Sequence, residues 1–253
     1  MKTLVHWRLE LLKHLRGPLL GTRAKGTSSN KWLHRQQKDP LVKRAVVEQY
    51  RCRSAYKLIE LDDKFRFLNK GAVVVDCGAS PGAWSQVAAQ RVDCGASPGA
   101  WSQVAAQRVT TTSTNTQGGM VVALDIQEIA DLPGVLVMGG SDVTDPLVQE
   151  RVRELLGRRG ADVVMSDMAP NASGIREMDH QKIMQLAESA LALSHSVLKE
   201  GGVFLCKLWQ GPLANVFRSR LKANFSFTKE CRLQSTRQSS SELFIYAEQY
   251  HST

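Results

Sequence analysis

The chain has 253 residues, 43% hydrophobic and 23% charged, which suffices for one sizeable core but not for two full enzyme domains. This composition excludes collagen-like, coiled-coil and fully disordered chains. No apolar run approaches the roughly 20 residues that cross a bilayer, so we predict no membrane span. The five cysteines are odd in number and include no CxxC pair, which argues against a disulfide framework and a structural zinc site. We therefore expect a reducing compartment and no metal.

The excess positive charge lies at the start of the chain. Residues 1–66 hold 16 Lys and Arg against 6 Asp and Glu, whereas residues 67–253 hold 17 against 18. Residues 1–26 are poor in acids and carry leucines at near-helical spacing, which predicts a mitochondrial transit peptide and a location in the matrix. Residues 27–66 interleave cations with aromatic side chains and predict a basic helical segment that contacts a phosphate backbone. The alternative is a solvated basic leader.

The pattern from 27 to 253 predicts a single α/β domain. After a helical stretch over 40–66, short apolar strands alternate with helices, which is typical of a mostly parallel sheet with helices on both faces. Ligands of such sheets bind at the carboxyl ends of the strands. The predicted strands are 72–77, 120–125, 135–138, 162–167, 202–208 and 243–249, and the predicted helices between them are 83–91, 145–157 and 179–199.

Seventeen residues are repeated in tandem. Residues 75–91 and 92–108 both read VDCGASPGAWSQVAAQR, which indicates a recent duplication or an error in the gene model. Only one copy can occupy a given place in the sheet, so the tandem segment 75–108 offers two candidates for a strand followed by a glycine-rich turn.

Local composition and spacing favour different copies of the repeat as the one that forms the strand and turn. The first copy follows an apolar run over 71–75, as a buried parallel strand does, whereas the second would place Arg91 in a central strand. Spacing favours the second copy, because Asp125 lies 26 residues past Gly99 and 43 past Gly82. A loop absorbs extra residues at modest entropic cost. We therefore predict that the first copy is native and that the second bulges out as an extra helix and loop.

Glycines and acids that follow successive strands predict a site for an adenosine-containing cofactor. Gly78 and Gly82 lie in a strand-to-helix turn, where glycine permits close approach of a ligand and the helix offers free N–H groups. The turn lacks GxGxxG spacing, which disfavours a dinucleotide-dependent oxidoreductase. Asp125 suits a pair of ribose hydroxyls, and Asp142 is placed to accept from an adenine amino group. Each acid alone is also typical of a helix cap or a turn.

Four other segments are distinctive: RCRSAYKL at 51–58, SDMAPN at 166–171, CKLWQG at 206–211 and SSSE at 239–242. Together with DCGASPGAWSQ, they resemble the FtsJ-type (RrmJ-type) ribose 2′-O-methyltransferases over about residues 40 to 250. The resemblance implies a Rossmann-like sheet of about seven strands, the last antiparallel, and S-adenosylmethionine as cofactor. With the basic leader, it points to the mitochondrial branch of the family, whose substrate is a uridine of large-subunit ribosomal RNA.

The resemblance also implies which residues bind the cofactor. It leaves the tandem repeat, 75–108, as a duplicated cofactor loop within the domain 27–253. Trp84 alone is equally typical of a core side chain. The implied cofactor-binding residues are Gly78, Pro81, Gly82, Ala83, Trp84, Asp125, Ile126, Asp142 and Asp167.

A catalytic tetrad follows from the same resemblance: Lys57, Asp167, Lys207 and Glu242. A ribose hydroxyl is a weak nucleophile, so the protein must align it with the methyl donor and manage one proton. We assign Lys207 as proton acceptor, Asp167 as the group that orients it, Lys57 as its electrostatic partner, and Glu242 as the group that holds the lysines or the ribose in register. Lys57 and Glu242 alone are typical of solvated side chains, whereas Lys207 lies in an apolar strand, where an unpaired charge is costly.

These residues predict a monomeric enzyme that methylates ribosomal RNA. The alternative is an RNA-binding ribosome-assembly factor whose duplicated loop disrupts the cofactor site. Binding of S-adenosylmethionine discriminates between the two.

Overall fold

A computed structural model describes residues 37–92, 118–171, 173–238 and 240–252. The chain divides into two units, Met1–Asp39 and Pro40–Thr253. The predicted transit peptide, residues 1–26, lies outside the described residues. Within them, no helix is long and apolar enough to cross a membrane.

The unit that begins at Pro40 alternates strands and helices along most of its length. Its strands are short and rich in Val, and most of its helices bury a single face, as the sequence pattern predicts. In chain order the elements are α1 (Pro40–Val47), α2 (Ala55–Phe65), β1 (Val73–Cys77), α3 (Ala83–Val92), β2 (Met120–Leu124), β3 (Val135–Met138), α4 (Pro146–Leu156), β4 (Ala161–Ser166), α5 (Arg176–Val197), β5 (Leu198–Trp209), α6 (Ala214–Asn224), β6 (Phe225–Cys231) and β7 (Glu242–Tyr250).

The strands form one seven-stranded sheet in the order β3-β2-β1-β4-β5-β7-β6. The first five are parallel to one another, and β7 lies antiparallel to both β5 and β6. The predicted Rossmann-like sheet is thereby confirmed. Two elements, α6 and the edge strand β6, were not predicted from the sequence. Strand β6 buries only its two terminal residues, so it shows no alternating pattern of buried residues.

Successive side chains of each strand point to opposite faces of the sheet and pack into two hydrophobic layers. In β1, Val73 and Val75 point to one face and Val74 to the other. One layer packs against α4, α5 and α6, and the other against α2 and α3. The larger members of the first layer include Val152, Leu156, Leu191, Phe204, Phe217 and Leu221, and those of the second include Leu58, Leu61, Trp84, Phe244 and Tyr246. Helices therefore cover both faces, as predicted.

The first copy of the repeat lies in the centre of the sheet. Val75 pairs with Val122 of β2 on one side and with Val164 of β4 on the other. The rest of the copy forms the turn over 78–82 and helix α3, so the prediction that the first copy supplies the strand is confirmed. The predicted bulging of the second copy concerns residues beyond Val92, which lie outside the described residues.

The predicted helix over 40–66 is instead two helices, α1 and α2, separated by residues 48–54. Gln49 has a left-handed φ of 61°, which ends the first helix. Side chains of α3 then hold the linking segment, because Gln86 Nε2 donates to the Gln49 carbonyl at 2.8 Å and Trp84 Nε1 donates to the Ser54 carbonyl at 2.9 Å. These contacts join the segment between α1 and α2 to the first turn of α3, and no helical periodicity could predict them.

Candidate active site

The carboxyl edge of the sheet places two residues of the predicted tetrad next to each other. Ser166 of β4 pairs with Cys77 of β1 and with Cys206 of β5. The following residues, Asp167 and Lys207, are therefore neighbours at this edge. Lys207 Nζ lies 2.9 Å from Asp167 Oδ1 and also donates to the backbone carbonyl of Asp167.

The other two tetrad residues reach the same point from α2 and β7. Trp209 of β5 pairs with Glu242, which brings the start of the antiparallel strand β7 to the carboxyl edge. Lys57 Nζ donates to Glu242 Oε2 at 2.7 Å and lies 4.0 Å from Asp167 Oδ1. The four side chains thus alternate in charge, in the order Glu242, Lys57, Asp167 and Lys207. The structure brings the whole predicted tetrad together.

The carboxylate of Asp167 is largely buried and only partly hydrogen-bonded. Its Oδ1 is buried, and the 2.9 Å contact with Lys207 is an ion pair without the alignment of a hydrogen bond. Lys207 is only 7% exposed, so the pair has little access to water. A hydroxyl group that enters this edge of the sheet meets a carboxylate oxygen and an amine nitrogen side by side.

The loop before β7 is held by Glu60, to which no role was assigned from the sequence, and by Arg53, which was predicted to belong to the basic segment for a phosphate backbone. Glu60 accepts from the backbone N of Ser235 at 3.0 Å and from its hydroxyl at 2.9 Å, while Arg53 Nη2 donates to the Ser235 carbonyl at 2.5 Å. The next residue, Thr236, donates from its hydroxyl to Glu242 Oε1 at 2.9 Å. Glu60 lies three residues after Lys57, on the same side of α2, and this spacing was the available signal.

A buried histidine supports the turn that follows Lys207. His180 of α5 is 7% exposed, and its Nε2 accepts from the backbone N of Leu213 at 3.2 Å. Its ring lies against Gly211, where a Cβ atom would overlap it. Burial lowers the pKa of His180, which favours the neutral form that this hydrogen bond requires.

On the cofactor side, Gly78 and Asp125 occupy the ends of β1 and β2. Gly78 has a φ of +77°, and a Cβ there would overlap Met168, so only glycine fits. Asp125 Oδ2 accepts from the backbone N of Ser80 at 2.9 Å, and its Oδ1 accepts from the backbone N of Gln127 at 2.8 Å. These hydrogen bonds join the glycine turn to the loop after β2 and leave further lone pairs on the carboxylate.

The remaining predicted cofactor residues differ widely in exposure. Asp142 is exposed and caps its own turn by accepting from the backbone N and the hydroxyl of Thr144, each at 2.8 Å. Ile126 is 67% exposed and Pro81 is exposed. Ala83 and Trp84 are buried, and the Trp84 indole packs in the core 5.7 Å from Phe244. Their contact with a cofactor stays a prediction.

Asp76 is a buried acid in β1 to which the sequence analysis assigned no role. It is fully buried, its Oδ2 accepts from the Ser85 hydroxyl at 2.6 Å, and its Oδ1 has no hydrogen-bond partner. Its pKa is raised to about 7, chiefly by burial and less by the charges of Asp167 and Asp125, while the hydrogen bond from Ser85 opposes the rise. The available signal was an acid directly after Val73-Val74-Val75, where an unpaired charge is costly.

This edge fits a cationic ligand better than a phosphate. Within the described ranges, no Lys or Arg forms an ion pair with Asp76, Asp125 or Asp142. Phosphates would be repelled by these carboxylates, whereas an ammonium or sulfonium group would be attracted. S-adenosylmethionine carries both cations and a ribose diol. No group of three or more metal-ligating side chains occurs in the described part of the chain.

The parallel sheet, the glycine turn after β1 and the acids after β2, β3 and β4 define the class of methyltransferases with a Rossmann-like fold. A family model described as FtsJ-like methyltransferase matches residues 50–93 and 91–250. The chain belongs to this family. The two matched parts meet at the repeat, and each contains one complete copy. The first copy therefore satisfies the family pattern upstream and the second satisfies it downstream, which accounts for the opposing arguments from strand and spacing.

Two curated relatives, both named ribosomal RNA large subunit methyltransferase E, cover nearly the whole chain. The protein of Rhodopseudomonas palustris (strain HaA2) is 40% identical over 226 residues, which span 89% of this chain and 87% of the relative. The protein of Ruegeria pomeroyi is 40% identical over 225 residues, with 89% of each chain covered. A solved structure from Plasmodium falciparum, named for a ribosomal RNA methyltransferase, has a TM-score of 0.64 at 23% identity and covers 79% of this chain and 98% of its own. That likeness shows the fold.

Proposed function

We propose that this methyltransferase transfers the methyl group of S-adenosylmethionine to a ribose 2′-hydroxyl of large-subunit ribosomal RNA. The observation that carries the proposal is the alternating array of Lys57, Asp167, Lys207 and Glu242 at the carboxyl edge of the sheet. The names of the relatives, which specify large-subunit ribosomal RNA, support the substrate class.

The site residues divide the work between binding and proton transfer. Asp125 and Asp142 would hold the ribose and adenine of the cofactor, and the turn at Gly78 would lie along its methionine part. The bound cofactor supplies an activated methyl group on a sulfonium centre. Asp167 follows β4, at the end of the central strands. Its carboxylate would attract the positive charge of the sulfonium and orient Lys207.

Lys207 is the group placed to take the hydroxyl proton. Its Nζ lies 2.9 Å from Asp167 Oδ1, so a ribose hydroxyl beside this pair would contact Lys207 with the carboxylate of Asp167 close by. The hydroxyl proton would pass to Nζ of Lys207 as the ribose oxygen takes the methyl group and the sulfonium of the cofactor becomes a neutral thioether. Lys57 donates a 2.7 Å hydrogen bond to Glu242, and together these side chains would hold the ribose in position.

We further propose that the nucleotide is a uridine and that the enzyme works as a monomer in the mitochondrial matrix. The acid-poor, leucine-bearing segment 1–26 supports import. The basic segment 27–66 supports attraction of the RNA backbone, which is strongest for clustered cations at low salt. Amino-terminal sequencing of the protein recovered from mitochondria tests the leader. A mature chain that still begins at Met1 would contradict cleavage.

Methylation of a large-subunit rRNA transcript with labelled S-adenosylmethionine tests the reaction. We expect one label per transcript, in a dinucleotide that resists alkaline hydrolysis because its 2′-oxygen is blocked. A transcript with a 2′-deoxy residue at that position is the matched control and should accept no label. Label on a base would overturn the 2′-O assignment. Failure to bind S-adenosylmethionine at millimolar concentration would instead favour the RNA-binding assembly factor.

A further inference from the structure

Arg51, in the segment between α1 and α2, directs its guanidinium into the cofactor side of the sheet. Its Nη1 donates to the Pro81 carbonyl at 2.9 Å and to the Ala130 carbonyl at 2.8 Å, and its Nη2 donates to the Asp131 carbonyl at 2.7 Å. Pro81 belongs to the turn after β1, whereas Ala130 and Asp131 belong to the loop after β2. A single side chain thus joins the two loops.

These two loops flank the place where the cofactor must lie. They are already joined close to the sheet, where Asp125 accepts from the backbone N of Ser80 at 2.9 Å. Arg51 makes a second, outer connection between them. With both connections present, the separation of the two loops is held at two points.

The packing around Arg51 shows that its position is built in. Gln86 Oε1 accepts from the Arg51 backbone N at 3.1 Å, which fixes the residue relative to α3. A Cβ atom at Gly82 would lie 2.7 Å from Arg51 Nη1 and 2.8 Å from Leu132 Cδ1. Glycine suits this position because its φ is +100°, and the Arg51 and Leu132 side chains lie against it. Close approach of a ligand at Gly82 stays a prediction.

Arg53, two residues further on, serves as an internal comparison. It donates to the Ser235 carbonyl in the loop that leads to Glu242, on the catalytic side. Both arginines were predicted to belong to a basic surface for a phosphate backbone. In the structure, each donates to backbone carbonyls of a different functional loop.

We propose that Arg51 is a positioning residue that clasps the two cofactor loops and thereby sets the affinity for S-adenosylmethionine. This inference rests on the proposed cofactor. The planar fork of the guanidinium suits the clasp, since it donates to three carbonyls on two loops at once. A lysine retains the charge but offers a single nitrogen, which does not reproduce a fork that spans both loops.

Three variants of the full chain test the clasp: Arg51→Ala, Arg51→Lys and the matched control Arg53→Ala. Calorimetry would measure the Kd for S-adenosylmethionine and for S-adenosylhomocysteine, and filter binding would measure RNA affinity at several salt concentrations. We expect both Arg51 variants to weaken cofactor binding by about tenfold or more, since hydrogen bonds from a charged donor are lost. Arg53→Ala should lower kcat through Glu242 and leave the Kd for the cofactor unchanged.

The lysine variant separates a clasp from a simple phosphate contact. If Arg51 acts only by its charge on RNA, Arg51→Lys will be silent for the cofactor, and Arg51→Ala will lower the slope of RNA affinity against salt. That outcome overturns the proposal, as does an unchanged cofactor Kd in both variants. Should Arg51→Ala fold poorly, Arg51→Lys alone decides the matter. If the wild-type chain itself binds no S-adenosylmethionine, that result contradicts the proposed function, whereas the outcomes above contradict only the role of Arg51.

Discussion

The carboxylates at the two halves of the carboxyl edge differ in whether a lysine pairs with them. At the ends of β1 and β2, Asp76 and Asp125 have no lysine or arginine in ion-pair contact among the described residues. At the ends of β4 and β5, Asp167 lies 2.9 Å from the Nζ atom of Lys207. The first half is left with negative charge that a cationic ligand can neutralise, whereas the second is nearly neutral by itself and suited to moving a proton. On the proposed function, the distribution of lysines along this edge separates cofactor binding from proton transfer.

Removal of the lysine that distinguishes the catalytic half should give the largest effect. We expect Lys207→Ala to lower kcat by about 10²-fold or more, because proton transfer by a positioned group contributes that much. The cofactor Kd should change no more than a few-fold. Lys199→Ala is the matched control, since Lys199 begins the same strand at the opposite edge and pairs with Asp162 at 2.7 Å. Comparable loss of cofactor binding and kcat would show that the two halves are not separate.

A substitution in the binding half should have the opposite profile. Val at Gly82 meets Arg51 and Leu132 at a φ of +100°, so we expect Gly82→Val to weaken S-adenosylmethionine binding by about a hundredfold. Gly99→Val, the identical change in the second copy of the repeat, should be nearly silent. Calorimetry on both variants makes the comparison. Loss of binding in Gly99→Val alone would assign the cofactor turn to the second copy.

Asp76 offers a pH test of the uncompensated charge. Burial raises its pKa from 3.8 to about 7, so the folded chain binds its proton more tightly than the unfolded chain does. The stability that arises from this proton on Asp76 is therefore fully present below about pH 4 and is lost as the pH rises through 7. Asp76→Asn stays neutral, and its free energy of unfolding should gain roughly 2–3 kcal/mol relative to wild type between pH 5 and pH 8. Urea unfolding of both chains at the two pH values measures this, and a constant difference would mean that Asp76 does not titrate in this range.

The smallest effect should come from the support of the catalytic half. Glu60 holds the Ser235 turn that leads through Thr236 to Glu242. We expect Glu60→Gln to lower kcat by about threefold to tenfold, because one or two hydrogen bonds weaken while the fold persists. The Kd for the cofactor should not move. Glu150→Gln, on the exposed side of α4, is the control, and an equal fall in kcat for both variants would argue against a positioning role of Glu60.

Local sequence was sufficient for the parallel core of the sheet. Val73-Val74-Val75 predicts a buried strand by its own composition, and the glycine turn after it predicts a ligand site. The tetrad was accessible only through the family motifs, since Lys57 and Glu242 by themselves are typical of surface residues. The edge strand β6 was missed because it buries only its two terminal residues, and the break at Gln49 was missed because its partner, Gln86, lies 37 residues further along the chain.

The sequence by itself determined the fold class and the position of most strands along the chain, because periodicity is a local property, whereas the residues that meet at the carboxyl edge followed from the family resemblance. Only the tertiary structure decided where Arg51 points, since its guanidinium is bound by carbonyls 30 and 80 residues away. It also decided that Asp76 is fully buried with one oxygen unpaired. The physical reason is the same for both side chains: hydrogen bonding and desolvation depend on which groups surround a residue in space, and those neighbours come from other strands and loops.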